Sequence, residues 1–318
     1  MKKADWTVAA LKQLQTSRSG AGWGYRPDDV PYVEPSVLAG FVLRTWYGDA
    51  RHSPAAATGV SHWLGSLVQD DGAIGLSSQL ARPHWSTAWA IWYWRTGPQA
   101  PPQGQAATGW LLSRIGDTFP APDNVGHDTT IPGWPWVEGT HSWVEPTAIA
   151  VQALCVSGLS DHPRTRDGVR LLLNRPVPSG GWNMGNRVTK GTALRAQCAP
   201  TGIALLALAS SLTARQRADS QVRATIEQAI EFLLASLPQT RAPRSLGWGL
   251  LGLAAWDVRP DDADLWLAES TAKALDRNIG PVALALLLLA SRAGRSLESM
   301  RVPTHTLPSV LSPAGALP

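Results

Sequence analysis

Gly133-Trp134-Pro135-Trp136, followed across a polar loop by Glu145-Pro146-Thr147-Ala148-Ile149-Ala150, is the stretch from which the architecture reads. A Gly-Trp pair makes a turn, and a Pro one step into an apolar run marks a helix start. The first helical N–H has no intrahelical partner, and the Pro φ is already set for the helix. The same pattern recurs as Gly22-Trp23-Gly24 leading to Glu34-Pro35-Ser36-Val37-Leu38-Ala39, and as Gly180-Gly181-Trp182-Asn183 leading to Ala199-Pro200-Thr201-Gly202-Ile203-Ala204. Weaker copies are Gln69-Asp70-Asp71-Gly72-Ala73-Ile74, which leads to Trp85-Ser86-Thr87-Ala88, and Gly247-Trp248-Gly249. Self-similarity of this kind signals a repeat architecture.

The apolar segments that follow the turns, near 34–47, 85–96, 145–158, 199–213, 245–256 and 279–293, are hydrophobic almost all round, as helices buried on both sides must be. Between them, stretches near 4–16, 54–68, 103–115, 163–174, 215–237 and 262–276 carry one apolar and one polar face. No such hairpin buries its faces alone, so the array must extend or close, and its length suits closure. The sequence therefore predicts an all-α fold, an (α/α)6 toroid of alternating outer and inner helices. It forms one domain over 1–298, with a Pro/Ser-rich tail over 299–318 that is disordered or draped on the surface.

Composition narrows the function. At 318 residues, 44% hydrophobic and only 16% charged, the chain buries a large core. The formal charge of +4 is spread over scattered Arg residues with no basic, aromatic-interleaved groove, which excludes a nucleic-acid partner. That charge is compatible with peripheral contact to anionic lipid headgroups or a diphosphate, and ordinary solubility explains it with fewer assumptions. The apolar run Val282 to Ala290 is too short to span a bilayer, and Met1-Lys2-Lys3-Ala4-Asp5-Trp6 lacks a secretory signal, so the expected location is cytoplasmic, with membrane association left open. Cys155 and Cys198 lack ligand spacing and read as buried free thiols, with no metal. Sixteen Trp against three Phe and four Tyr demand a repeated structural role or an aromatic cavity.

These motifs resemble those of a known superfamily. Gln15 to Trp23 and Gln69-Asp70-Asp71-Gly72-Ala73-Ile74 are similar to the Gln-x-x-x-Gly-x-Trp motif of squalene-hopene and oxidosqualene cyclases, the first stretched and the second with Ile74 in place of Trp. Glu34-Pro35-Ser36, Glu145-Pro146-Thr147-Ala148 and Gly180-Gly181-Trp182-Asn183 resemble the prenyltransferase and squalene-oxidase repeat, and the likeness runs to about residue 293. The resemblance implies a toroid whose inner-helix N-termini surround a cavity. In class II cyclases an Asp-x-Asp-Asp-Thr-Ala motif lies there, and its middle Asp protonates an alkene or epoxide. Laying Thr147-Ala148 on that Thr-Ala puts Glu145 on the middle acid, Trp143 on the first Asp and Pro146 on the last, so the motif itself is missing. The zinc ligands of protein prenyltransferases have no local counterpart here. The length is that of one toroid where triterpene cyclases have two, so a partner subunit, a central funnel or loss of catalysis are the options.

Each candidate residue has a functional and a structural reading. Glu145 and Glu34 are placed as acids whose burial would keep them protonated. An acid before a helix-starting Pro is equally favoured by the helix dipole and can cap orphan amides, and the repetition of Glu-Pro-Ser/Thr favours that role. The longest loop, between the helices near 103–115 and 145–158, carries His127 and Asp128, which read as an acid/base pair or as solvated neighbours. Trp85, Trp89, Trp134, Trp136 and Trp143, with Glu34 and Asn183, are the expected substrate-binding set, the indoles stabilising carbocations by cation–π attraction. Trp23, Trp182 and Trp248 read instead as wedges between hairpins.

The leading expectation is a terpenoid-cyclase-like protein that binds an apolar isoprenoid in an aromatic cavity, without a cofactor. Acid-initiated cyclisation or isomerisation would run through Glu145, or through Asp128 with His127. The alternative is a non-catalytic toroid that holds a lipid, peptide or partner helix. A carbohydrate-active α/α toroid is a third reading, since Trp platforms and paired carboxylates also suit sugars.

Overall fold

The computed structural model describes residues 3–48, 55–98, 100–120 and 125–307. Its inner helices are α2 (Val33–Tyr47), α4 (Ser86–Thr96), α6 (Val144–Val156), α8 (Cys198–Ser211), α11 (Pro243–Ala254) and α13 (Pro281–Ser291). Each packs on the next in that order, and α13 packs back on α2, so the ring is closed. The outer helices are α1 (Lys3–Thr16), α3 (Ala55–Ser66), α5 (Gly104–Ser113), α7 (Pro163–Asn174), α10 (Ser220–Ser236), which the short α9 (Ala214–Ala218) precedes, and α12 (Ala263–Asp276). They lie against the inner ring from outside, α3 on α2 and α4, α7 on α6 and α8, and α12 on α13. The expected all-α toroid is therefore the observed one. Its only sheet among the described residues is a two-stranded hairpin, β1 (Val188–Thr189) with β2 (Thr192–Ala193).

One local clamp explains the repeat. The hydroxyl residue near the start of four inner helices accepts a hydrogen bond from the backbone N–H of the preceding turn: Ser36 from Trp23 (2.9 Å), Thr87 from Ile74 (2.9 Å), Thr147 from Trp134 (3.0 Å) and Thr201 from Trp182 (2.9 Å). The same hydroxyls donate back to the turn carbonyls of Trp23, Ile74, Trp134 and Trp182. Three of the turn indoles donate to the end of the previous outer helix: Trp23 to Leu14 O (2.6 Å), Trp134 to Leu111 O (2.9 Å) and Trp182 to Leu172 O (2.7 Å). Each Trp thus closes an outer helix, whose last carbonyls lack intrahelical partners, while its backbone anchors the inner one. Gly247-Trp248-Gly249 differs from the expectation: it lies inside α11 and makes no turn. The glycines of α11 serve close approach: a Cβ on Gly247 would lie 2.7 Å from the Leu286 Cβ of α13, and one on Gly252 2.5 Å from the Gly202 Cα of α8.

The ring axis is filled at mid-height. Trp89 of α4 and Trp248 of α11, on opposite sides of the ring, meet with centroids 6.0 Å apart, and Trp89 stacks on Trp92 at 5.6 Å. At the C-terminal ends of the inner helices, α14 (Ala293–Met300) packs on α2, α4, α11 and α13. Met300 O accepts from the Trp92 indole (2.9 Å), and His305 bonds Ala209 O and Ala255 O beyond it. The boundary expected at 298 falls within α14, and residues 301–307 run as a strap with Val302 and Leu307 buried. The remainder of the expected tail lies outside the described residues. With this end closed, the open end is the one formed by the inner-helix N-termini.

Candidate functional site at the mouth of the ring

Glu34, Glu145 and Arg244 occupy the first turns of α2, α6 and α11, alternate members of the ring, so their side chains converge on the axis. Arg244 Nη1 donates to Glu34 Oε1 at 2.8 Å, and Nη2 donates to Glu145 Oε1. Tyr25, in the loop before α2, donates its hydroxyl to Glu34 Oε2 at 2.7 Å. Both glutamate side chains are 5% exposed, whereas Arg244 keeps 40%, so the cluster opens outward at its cation. Neither carboxylate bonds the amides of its own helix among the described residues, and the Ser36 and Thr147 hydroxyls bond the preceding turns, so the capping role read from Glu-Pro-Ser/Thr is not filled by either side chain.

Two buried carboxylates share one guanidinium, which leaves them a net negative charge to relieve. Burial pushes the Glu145 carboxyl above its ordinary range; the Glu34 charge adds to the rise, and Arg244 opposes it without cancelling it. Burial also opposes the charged guanidinium, but the two carboxylates outweigh it and hold Arg244 protonated. Desolvation, then Glu34, pushes the Tyr25 hydroxyl up, so it remains a donor. Glu34 accepts two hydrogen bonds, and Glu145 accepts one, on Oε1. A proton kept by the cluster therefore belongs on Glu145 Oε2, and departure of that proton yields a carboxylate that Arg244 already holds.

The other expected binding residues fall in four places. Trp89 is buried in the axial stack. Trp85 and Trp136 meet edge-to-face at 4.9 Å and, with Trp134, line a crevice of about 20 Å³ between the starts of α4 and α6, beside the His84–Glu138 pair at 2.6 Å. That is room for one water. Trp143 directly precedes α6, half-buried, with His141 at 4.3 Å from ring to ring. Asn183 is buried and turns its amide to its own loop, accepting from Gly185 N (2.9 Å) and donating to Asn186 O (2.8 Å).

His127 and Asp128 diverge. Asp128 Oδ1 accepts from the Thr130 hydroxyl (2.6 Å) and amide (2.8 Å), and these bonds lower its pKa. His127 faces a separate cavity, where burial and then the Arg175 charge push it down to about 4. Among the described residues no group of three or more His, Cys, Asp or Glu side chains is placed to hold a metal ion, and no helix is long and apolar enough to cross a membrane.

Sequence reasoning did not single out Arg244 and Tyr25. The available signal was Arg244 itself, a cation directly after a helix-starting Pro on an otherwise apolar inner helix.

No protein-family model matches the chain, and no curated protein matches it in sequence. Solved structures do match. The type II terpene cyclase MstE from Scytonema, in complex with geranylgeranyl dihydroxybenzoate, superposes with a TM-score of 0.62 at 14% identity, over 93% of this chain and 97% of that one. The ent-copalyl diphosphate synthase from Streptomyces platensis gives 0.51 at 17% identity, over 85% of this chain and 50% of that one. Salmonella alpha-2-macroglobulin reacted with methylamine gives 0.51 at 15% identity, over 91% of this chain but 17% of its own. At such identities the fold is what is shared: the chain has the α/α toroid fold found in these structures.

Proposed function

We propose that the chain is a terpenoid-cyclase-like protein that takes an apolar isoprenoid at the mouth of the ring, and that Glu145 is the acid that protonates it. The observation that carries this reading is the Glu34–Arg244–Glu145 cluster, in which burial raises the Glu145 pKa while Arg244 bonds the oxygen on which the charge of its carboxylate would rest. That pairing is what alkene protonation asks of a carboxylic acid: protonated at rest, with a conjugate base already stabilised. Asp128 lacks both properties, since its carboxylate is hydrogen-bonded in a loop turn and its pKa is lowered. Trp143, directly before α6 and two positions from Glu145, is the aromatic residue this reading assigns to attend a carbocation there. One toroid is enough in length for this reading, because this chain covers 97% of a protein described as a type II terpene cyclase.

The test is incubation of the purified chain with C15 to C30 isoprenoids and analysis by gas chromatography and mass spectrometry. Cyclised or isomerised product is expected, with a loss of about 10²-fold or more in Glu145→Gln and a smaller one in Asp128→Asn. Turnover that survives Glu145→Gln would remove Glu145 from the chemistry. Tight isoprenoid retention without turnover in the wild-type chain would make the ring a binding module.

A further inference from the structure

Beyond the mouth, the molecule holds a second cavity of about 240 Å³, enclosed by the long loop before α6, the end of α7 and the β1–β2 hairpin. Its lining carries two cations, Arg175 at the C-terminal end of α7 and Lys190 at the hairpin turn, with the imidazoles of His127 and His141 and one carboxylate, Asp117. Four buried nitrogens here have no hydrogen-bond partner, namely His127 Nδ1, His141 Nε2, Arg175 Nε and the Nε of neighbouring Arg187. Buried polar atoms are otherwise nearly always satisfied, so such a cluster asks for a partner.

Arg175 is the most informative. It is 4% exposed and spends Nη1 on Gly185 O at 2.9 Å. Nε has no partner, and Nη2 makes no hydrogen bond among the described residues. The Nε–Nη2 edge is the fork that takes both oxygens of a carboxylate or phosphate. Burial lowers the Arg175 pKa to about 10, so it is still charged at neutral pH. Two carboxylates lie nearby. Asp117 is exposed on the lining, and Asp128, which faces Arg175 electrostatically, has Oδ1 bonded to Thr130. The remaining wall is apolar, with Phe119, Ile131 and Val188.

We propose that this cavity binds a small organic oxyanion, a carboxylate or phosphate monoester on an apolar body, with the Nε–Nη2 edge of Arg175 as its bidentate anchor and Lys190 as the second cation. The imidazoles of His127 and His141 supply N–H donors to the same oxygens. The volume lies just under the lower end of ordinary small-molecule sites, about 300 Å³, which limits the body to single-ring size. The site shares no residue with the Glu34–Arg244–Glu145 cluster, although its His141 packs on Trp143.

Isothermal titration calorimetry of the full chain with phenyl phosphate, benzoate and benzyl alcohol tests this. Both anions are expected to bind and the neutral alcohol to give no heat, and the tighter anion identifies the headgroup. Arg175→Lys, which keeps the charge and removes the fork, should weaken the anions by about tenfold or more. Lys190→Ala, a change on an exposed turn, should weaken them by roughly threefold and decides the matter if Arg175→Lys does not fold. Arg244→Gln, at the mouth, should leave the affinity as it was. The proposal is wrong if neither anion binds, if benzyl alcohol binds as well as they do, if both cavity variants bind like wild type, or if Arg244→Gln abolishes binding.

Discussion

Glu145 gains its character from burial beside a shared cation. Burial raises the pKa of Glu145; Arg244, whose other guanidinium nitrogen is taken by Glu34, opposes the rise, and the Glu34 charge adds to it. Stability follows from the sign of that shift. An acid whose folded pKa lies above its unfolded value, about 4.3, contributes stability in full below the unfolded pKa and loses it as pH rises through the folded one. The melting temperature should therefore carry a component that falls from about pH 4 upward, and Glu145→Gln should flatten it; identical profiles for variant and wild type would refute the raised pKa. Arg244→Gln should destabilise the chain by about 2 kcal/mol, less than loss of a fully buried partner because Arg244 is 40% exposed, as a urea titration would measure. The two glutamates were legible in the sequence because each sits before a helix-starting Pro. Arg244 was not, since its bonds to Glu34 and Glu145 span 210 and 99 positions and exist only once the ring has closed; Tyr25, nine positions before Glu34, lies in a loop without periodicity to mark it.

At the scale of the element, the repeat was readable because its parts are local. In three of the hairpins the clamp joins a turn to a hydroxyl 13 positions later, and in the α8 hairpin the spacing stretches to 19 around the β1–β2 insertion without loss of the bond. The hydroxyl, more than the Gly-Trp pair, defines the copy. Trp248 shows this from the other side, since 13 positions beyond it stands Asp261 before an outer helix, and its Gly-Trp pair stays inside α11. Thr147→Val keeps the shape and leaves the Trp134 N–H buried without an acceptor, which should cost about 1–3 kcal/mol. Thr201→Val should do the same at Trp182, whereas Thr189→Val, at a hairpin position outside any clamp, should stay within about 0.5 kcal/mol of wild type. Equal effects at all three sites, measured by chemical denaturation, would remove the clamp as the organising contact.

For the molecule as a whole, closure has a consequence that the repeat did not announce. A ring of inner helices has two open ends, and the chain treats them differently: polar side chains gather where the N-termini meet, and α14 with its strap covers the C-termini. Ala209 O and Ala255 O, at the ends of α8 and α11, receive His305, and Thr45 of α2 bonds Ser299 (3.0 Å). Leu297, Met300, Val302 and Leu307 are buried there, which couples four of the inner helices to one short element. With Trp89 and Trp248 across the axis above this floor, a ligand reaches Glu145 only from the mouth. Removing the floor should therefore loosen the ring without touching the cluster. Each of the four apolar side chains contributes about 1.5–3 kcal/mol on burial, part of it offset by the ordering of the strap. Truncation after Arg292 should thus lower the melting temperature by on the order of 10 °C and red-shift tryptophan emission as Trp92 loses the Met300 carbonyl and meets water. Met300→Ala should reproduce part of the loss, about 2–5 kcal/mol. If the truncated chain melts and fluoresces like the full one, the floor is not what holds the ring, and closure rests on the contacts of α13 with α2 and of α1 with α12 and α13.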